Sequence, residues 1–290
     1  MKPSRSAYLS LRGMRFHIRH WGKSGAPKLF MLHGWMDSSI TFQFVVDAFV
    51  RDWHIIAPDW RGFGHSSWAK DGYWYPDYLA DLEAILDHYS PEEPVRLLGH
   101  SMGGNVACLY AGVRPARVAQ LVSLEGYGMM RMEPDQAAGR YARWLDSLNE
   151  HAHPRAYHSL EDVTRRVKRN NPRLTDERAA FIASHWAEKN SKGEWHILAD
   201  PRHRRVNPIL TRMDEVLASW RLITAPTLMV DAEFSLLGMR MEDYGKGREE
   251  IRRRASAIPD VKVVMVKGAA HMVQQDQPEV VAALIEDFLP

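Results

Sequence analysis

A chain of 290 residues with 45% apolar side chains can bury one large core, or a core with an insertion, which excludes intrinsic disorder. Its 38 Lys and Arg against 36 Asp and Glu leave a formal charge of +2, without the concentrated basic face of a dedicated nucleic-acid binder. One cysteine, Cys108, rules out an internal disulfide; the start MKPSRSAYLSLRG lacks the apolar stretch of a secretory signal; and no run of about 18 apolar residues is available to span a membrane, so a cytoplasmic protein is expected.

In chain order, residues 7–11 and 14–20 read as two strands of a hairpin about Arg12-Gly13. KLFMLH (28–33) and residues 54–57 read as parallel-sheet strands, because their apolar residues run together instead of alternating. Residues 40–50 have helical spacing, and a second helix over 78–89 is stopped by Ser90-Pro91. A strand over 95–98, a helix over 102–113 and a strand over 118–124 follow. From about 129 to 220 strand-like runs cease, and the chain is rich in Arg, His and Trp, with helical patches such as 141–149 and 177–189. Strands return at 227–230 and 261–266 with a helix between them, and an amphipathic helix over 279–288 ends the chain. This alternation predicts the α/β class, with a mostly parallel central sheet formed by 1–128 and 221–290 and a helical cap inserted over 129–220.

GHSMG (99–103) lies between the strand at 95–98 and the helix at 102–113. Gly-x-Ser-x-Gly in that setting is the pattern of a nucleophile elbow, a sharp turn that lifts a serine hydroxyl clear of the sheet. The glycines let backbone and helix approach closely, and the Met102 N–H at the helix start faces a developing oxyanion. An ordinary strand-to-helix turn containing a serine would use the same residues. His33-Gly34-Trp35 ends an upstream strand and offers the Trp35 N–H as a second oxyanion donor. His271 sits between the last strand and the last helix, where a general base for Ser101 belongs.

With HGW (33–35), DWRGFGHS (59–66), GHSMG (99–103), APTLMVDAE (225–233) and GAAHMV (268–273) followed by QPEVVAALIEDFL, the chain resembles the α/β-hydrolase superfamily over nearly its full length. The resemblance implies a capped, esterase-like serine hydrolase that needs no cofactor or metal. It also implies an acid after the strand APTLMV, at a position occupied here by Ser235. Three carboxylates are candidates for the missing acid. Glu125, at the end of LVSLEG, is preferred because some members of the superfamily carry their acid one strand after the nucleophile; Glu233 and Asp231 are the alternatives. Serine at 101 argues against the dehalogenase and epoxide-hydrolase branches, which require aspartate there.

His33, Gly34, Met36, Met129 and Met130 are expected at the substrate pocket, and Trp35, Met102 and Met132 also fall where cap and core should meet. Methionine and tryptophan make an adaptable apolar lining. His151, His153 and His158 lack the accompanying ligands of a metal site. Arg165, Arg166, Lys168 and Arg169 read as a solvated helix face, Arg61 as structural and Cys108 as core. The expected activity is hydrolysis of a carboxylic ester of a small, mostly apolar substrate through an acyl-enzyme. Hydrolysis of a carbon–carbon bond in a ring-fission product, or ligand binding with little turnover, are the alternatives.

Overall fold

Arg12 and Gly13 take φ of 50° and 73°, the left-handed pair that a two-residue hairpin requires. They join β1 (Ser4–Leu11) to β2 (Met14–Trp21). The computed structural model describes residues 1–150, 153–235 and 244–290. After the hairpin come β3 (Lys28–Leu32), α1 (Gln43–Ala48), β4 (His54–Pro58), α2 (Tyr75–Tyr89), β5 (Val95–His100), α3 (Met102–Val113) and β6 (Val118–Leu124). The next stretch holds α4 (Ala137–Leu148), β7 (Ala156–Tyr157), α5 (Leu160–Asn170), α6 (Asp176–Trp186), β8 (Ala187–Lys189), β9 (Trp195–Ile197) and α7 (Met213–Trp220). The chain closes with β10 (Thr227–Phe234), α8 (Tyr244–Ala255), β11 (Val261–Ala270), α9 (Val273–Asp276) and α10 (Pro278–Phe288).

The eight-stranded sheet has the order β1-β2-β4-β3-β5-β6-β10-β11. β2 is antiparallel to both β1 and β4, and every pair from β4 to β11 is parallel. Both faces are covered, which explains the unbroken apolar runs. Phe30, Leu32, Leu97, Leu121 and Met229 pack on one side, with α2, α3 and α7. Leu29, Met31, Leu98, Val122, Leu228 and Val230 pack on the other, with α1 and α10. Parallel strands place the loops after β3, β5, β6, β10 and β11 at one edge of the sheet, the edge where α/β proteins gather their sites.

The inserted stretch departs from the all-helical expectation. Beside α4 to α7 it forms a small sheet, β7-β9-β8, whose strands of two or three residues are too short to show a period in the sequence. Ser159 opens α5 with a capping box, its hydroxyl accepting from the Asp162 N–H at 3.1 Å while Asp162 accepts from the Ser159 N–H. Tyr157, Val163, Val167, Ile182 and Trp186 form a separate core that reaches Phe44 of α1. Trp186 donates to the Met36 carbonyl at 3.1 Å, and the His203 ring lies between Phe63 and Tyr73, with centroids 3.8 and 3.5 Å away. These contacts fix the insertion to the sheet's loop edge.

Four buried or largely buried imidazoles make the fold acid-sensitive. His20 and His33 are held down to about 4, and His100 and His203 to about 3, in each case chiefly because burial penalises the charged ring. The unfolded chain binds a proton at each as pH falls through about 6.5, while the folded chain resists. Asp37 and Asp231, raised by burial to about 6 and about 7, act in the opposite direction, two groups against four. The melting temperature is expected to fall steadily from pH 6.5 to pH 4, and less steeply in His20→Gln. A flat or rising profile would contradict neutral burial of these rings.

Candidate active site

β5 ends at His100, and Ser101 turns the chain into α3 with φ 51° and ψ −113°. That conformation is strained for a residue with a side chain, and the surroundings enforce it. The Ser101 N–H donates to the Leu124 carbonyl at 2.8 Å, and its carbonyl accepts from the Asn105 N–H at 2.9 Å. Only glycine fits at 99 and 103: a Cβ at Gly99 would lie 2.3 Å from the Gly103 carbonyl carbon, and one at Gly103 would lie 2.1 Å from the Leu32 carbonyl oxygen.

His271 follows β11 and presents Nε2 to Ser101 Oγ at 2.9 Å. Its Nδ1 faces Glu125 Oε2 at 3.3 Å. Glu125 follows β6 directly with φ 53°, and its carboxyl group is buried, only 1% exposed. Oε1 accepts from the Ala232 N–H at 2.8 Å, and Oε2 accepts from the Ser235 hydroxyl at 3.0 Å. Ser235, which stands where the resemblance implies an acid, therefore donates to a carboxylate supplied from beside the neighbouring strand. The adjacency of β6 and β10 makes this geometry available.

The alternative carboxylates point elsewhere. Asp231 is buried and ion-paired with Arg248, and it is raised to about 7 by burial and by the nearby Glu125, an effect Arg248 tempers. Glu233 accepts from the Gly268 N–H at 2.8 Å, near the end of β11, the strand that leads to His271. Neither makes a hydrogen bond to His271 among the described residues.

The loop after β3 runs against the serine. A Cβ on Gly34 would lie 3.3 Å from Ser101 Cβ, so Trp35 follows at the mouth of the site, and Met36 takes φ 56°. Met102 opens α3, in whose first turn the N–H groups have no intrahelical acceptor. The expectation that His33 touches substrate is corrected: it is fully buried. Its Nε2 accepts from the Trp60 N–H at 2.9 Å, which leaves Nδ1 to donate to the Gly34 carbonyl at 2.7 Å. Burial holds its ring down to about 4, so it braces the loop as a neutral ring.

Met36 lines a small cavity with Ile197, Ala199, Pro201, Arg155 and Arg204; arginine in this lining was not expected from the sequence. Met129 and Met130 are exposed beyond β6. Asn105 holds that segment by accepting from the Gly128 N–H at 2.7 Å. Two residues in contact with the candidate site have little sequence signal. His100 donates from Nε2 to the His271 carbonyl at 2.7 Å, and its place beside the serine in GHSMG is the one signal for it. Ser235 has no sequence signal beyond its neutrality.

Of the remaining motifs, Arg61 is buried against Asp81 with contacts of 2.5 and 2.6 Å, and Arg165 pairs with Glu161 and Asp162 on the surface of α5. Burial pushes the Cys108 thiol up to about 12. His151 lies outside the described residues. Among the described residues no group of three His, Cys, Asp or Glu is arranged to hold a metal ion, and no helix is long and apolar enough to cross a membrane.

A sequence profile of the alpha/beta hydrolase fold matches residues 27–278, and the chain belongs to that family. It is 28% identical over 278 residues to a serine hydrolase-like protein of Danio rerio, covering 93% of this chain and 83% of the relative. With serine hydrolase-like protein 2 of Homo sapiens it shares 23% over 287 residues, covering 93% and 88%. Among solved structures, a thioesterase domain from the curacin biosynthetic pathway superposes with a TM-score of 0.86 at 21% identity, over 98% of this chain and 99% of that one. An esterase of Mycobacterium tuberculosis gives 0.71 at 21%, over 99% and 91%. At these identities the structural likeness speaks for the fold and not for the substrate.

The Ser235–Glu125 hydrogen bond has a measurable consequence. Ser235→Ala removes a donor from a buried carboxylate and is expected to destabilise the protein by about 1–3 kcal/mol in urea unfolding. Unchanged unfolding would show that the bond contributes nothing.

Proposed function

We propose that the protein is a serine hydrolase acting on carboxylic esters of small, mostly apolar substrates, with residues 129–220 serving as a cap over the site. The observation that carries this reading is the relay Ser101–His271–Glu125, spaced at 2.9 and 3.3 Å. Such spacing suits proton transfer from an attacking hydroxyl. Relatives named as serine hydrolase-like and a neighbour titled an esterase are consistent with it.

In this reading Ser101 Oγ attacks the ester carbonyl while His271 Nε2 takes its proton. Glu125 holds the ring so that Nδ1 carries a hydrogen and Nε2 is free to accept, and it stabilises the imidazolium once formed. The N–H groups of Trp35 and Met102 receive the oxyanion. His271 returns its proton to the departing alcohol, leaving an acyl-enzyme. Water, deprotonated by the same ring, then releases the acid and restores Ser101. His100, through the His271 carbonyl, and Ser235, through Glu125, position the groups that react.

A fluorophosphonate probe is expected to label wild type at Ser101 and to leave Ser101→Ala unlabelled. With p-nitrophenyl esters of increasing chain length, Ser101→Ala or His271→Ala should lower turnover by about 10⁶, and Glu125→Gln by roughly 10⁴. Asp231→Asn and Glu233→Gln should cost far less than Glu125→Gln. Near-wild-type rates in Glu125→Gln would defeat the assignment of the acid. Turnover of a ring-fission dienoate with negligible ester cleavage would instead favour carbon–carbon bond hydrolysis, and ligand binding with neither labelling nor turnover would favour a binding protein.

A further inference from the structure

The inserted stretch over 129–220 carries a cleft of about 520 Å³, lined among others by Arg143, Asp146, Glu150, His153, Arg204 and Arg205. Arg204 and Pro201 also line the small cavity that contains Met36, Ile197 and Ala199. Met36 directly follows Trp35 in the loop that passes against Ser101. Arg204 thus belongs to both spaces, the outer cleft and the inner cavity beside the catalytic loop.

Arg165, Arg178 and Arg202 each pair with a carboxylate. Among the described residues Arg143, Arg204 and Arg205 form no ion pair, although Asp146 and Glu150 line the same cleft. Arg143 and Arg205 reach only backbone carbonyls, those of Gly139 and Glu150, each at 3.3 Å. Nε of Arg205 is buried without a partner, and the Arg204 side chain makes no hydrogen bond among the described residues. Guanidinium groups are planar forks whose best partners are the paired oxygens of a carboxylate or phosphate. Three of them against the carboxylates of Asp146 and Glu150 leave a net positive field in one concave space. A wholly neutral ligand would leave that field unanswered.

We propose that this cleft binds an anionic group, a carboxylate or a phosphate, at the end of the substrate remote from the bond that Ser101 cleaves. Arg204 and Arg205 are its specificity-determining ligands. The small cavity that shares Arg204 and Pro201 with the cleft is lined by Met36, Ile197 and Ala199 together with Arg155. The substrate class becomes an amphiphilic ester: apolar next to the scissile bond and anionic at its far end. The catalytic half of this statement rests on the serine-hydrolase reading above; the anion site does not.

The test therefore reads binding apart from turnover. Ser101→Ala protein is titrated calorimetrically with alkyl phosphates, alkyl carboxylates and alkanols over a range of chain lengths. The charged ligands are expected to bind about tenfold or more tightly than alkanols of equal length, and Arg204→Gln or Arg205→Gln in the same background should remove about tenfold of that preference. Arg165→Gln, on the surface of α5, serves as the charge-matched control and should leave it intact. Whichever of phosphate and carboxylate binds more tightly identifies the group. In the active enzyme, p-nitrophenyl half-esters of dicarboxylic acids should show lower KM than methyl-terminated esters of the same length, a difference that shrinks in Arg204→Gln. Equal binding of charged and neutral ligands, or equal weakening of both by Arg204→Gln, overturns the site. Anion binding with no fluorophosphonate labelling of wild type would leave the site standing and overturn only the catalytic reading. Labelling without anion preference would do the reverse.

Discussion

The arrangement depends on one buried carboxyl group. Glu125 lies in a place where a charge is costly unless it is fully met by donors, and three donors are in reach: the Ala232 N–H, the Ser235 hydroxyl and His271 Nδ1. They come from β10, from the residue after it, and from the loop after β11, so a single side chain on β6 ties together three neighbouring segments. His271 is then oriented toward Ser101 by a group that cannot swing into solvent. The same fixation accounts for Ser235: a second carboxylate there would face the first at hydrogen-bond distance, and like charges so close resist joint ionisation.

Backbone strain is distributed in keeping with this. Four non-glycine residues take positive φ among the described residues: Arg12, Met36, Ser101 and Glu125. Arg12 belongs to a hairpin turn. The other three follow β3, β5 and β6, three adjacent parallel strands, and each stands at the candidate site. Extended strands would carry these side chains into the helical layers; a left-handed residue at each strand end turns the chain sharply and keeps the side chains at the edge. The cost is carried by the sheet ladder and by close backbone contacts such as Gly103 against Leu32, which leave the turn no alternative path.

The insertion is tied to that edge by Trp186, His203 and the core around Tyr157. It contributes a wall that mixes apolar residues and arginines near Met36 and holds further arginines in the larger cleft. The candidate site and the arginine-lined cleft are thus built from separate parts of the chain. Ser101, His271 and Glu125 stand at the edge of the parallel sheet, while the cleft lies in the inserted stretch. This division lets one fold serve many substrates.

The sequence by itself determined the alternation of strands and helices, the elbow at Ser101, the loop at Gly34 and the place of His271, because each is written in local patterns: apolar runs, glycines at a turn, a histidine between the last strand and helix. It left three carboxylates open and read His33 as a pocket residue. Which carboxylate faces His271 was set by contacts between residues far apart in the chain, 146 positions for His271 and Glu125 and 170 for His271 and Ser101, and His33 is buried against Trp60, 27 positions away. The tertiary structure also decided that Ser235 donates to Glu125, that two- and three-residue strands pair within the insertion, and that Arg204 and Arg205 line one cleft without an ion pair among the described residues. No local pattern encodes these, since strand order and the docking of the insertion determine which side chains meet.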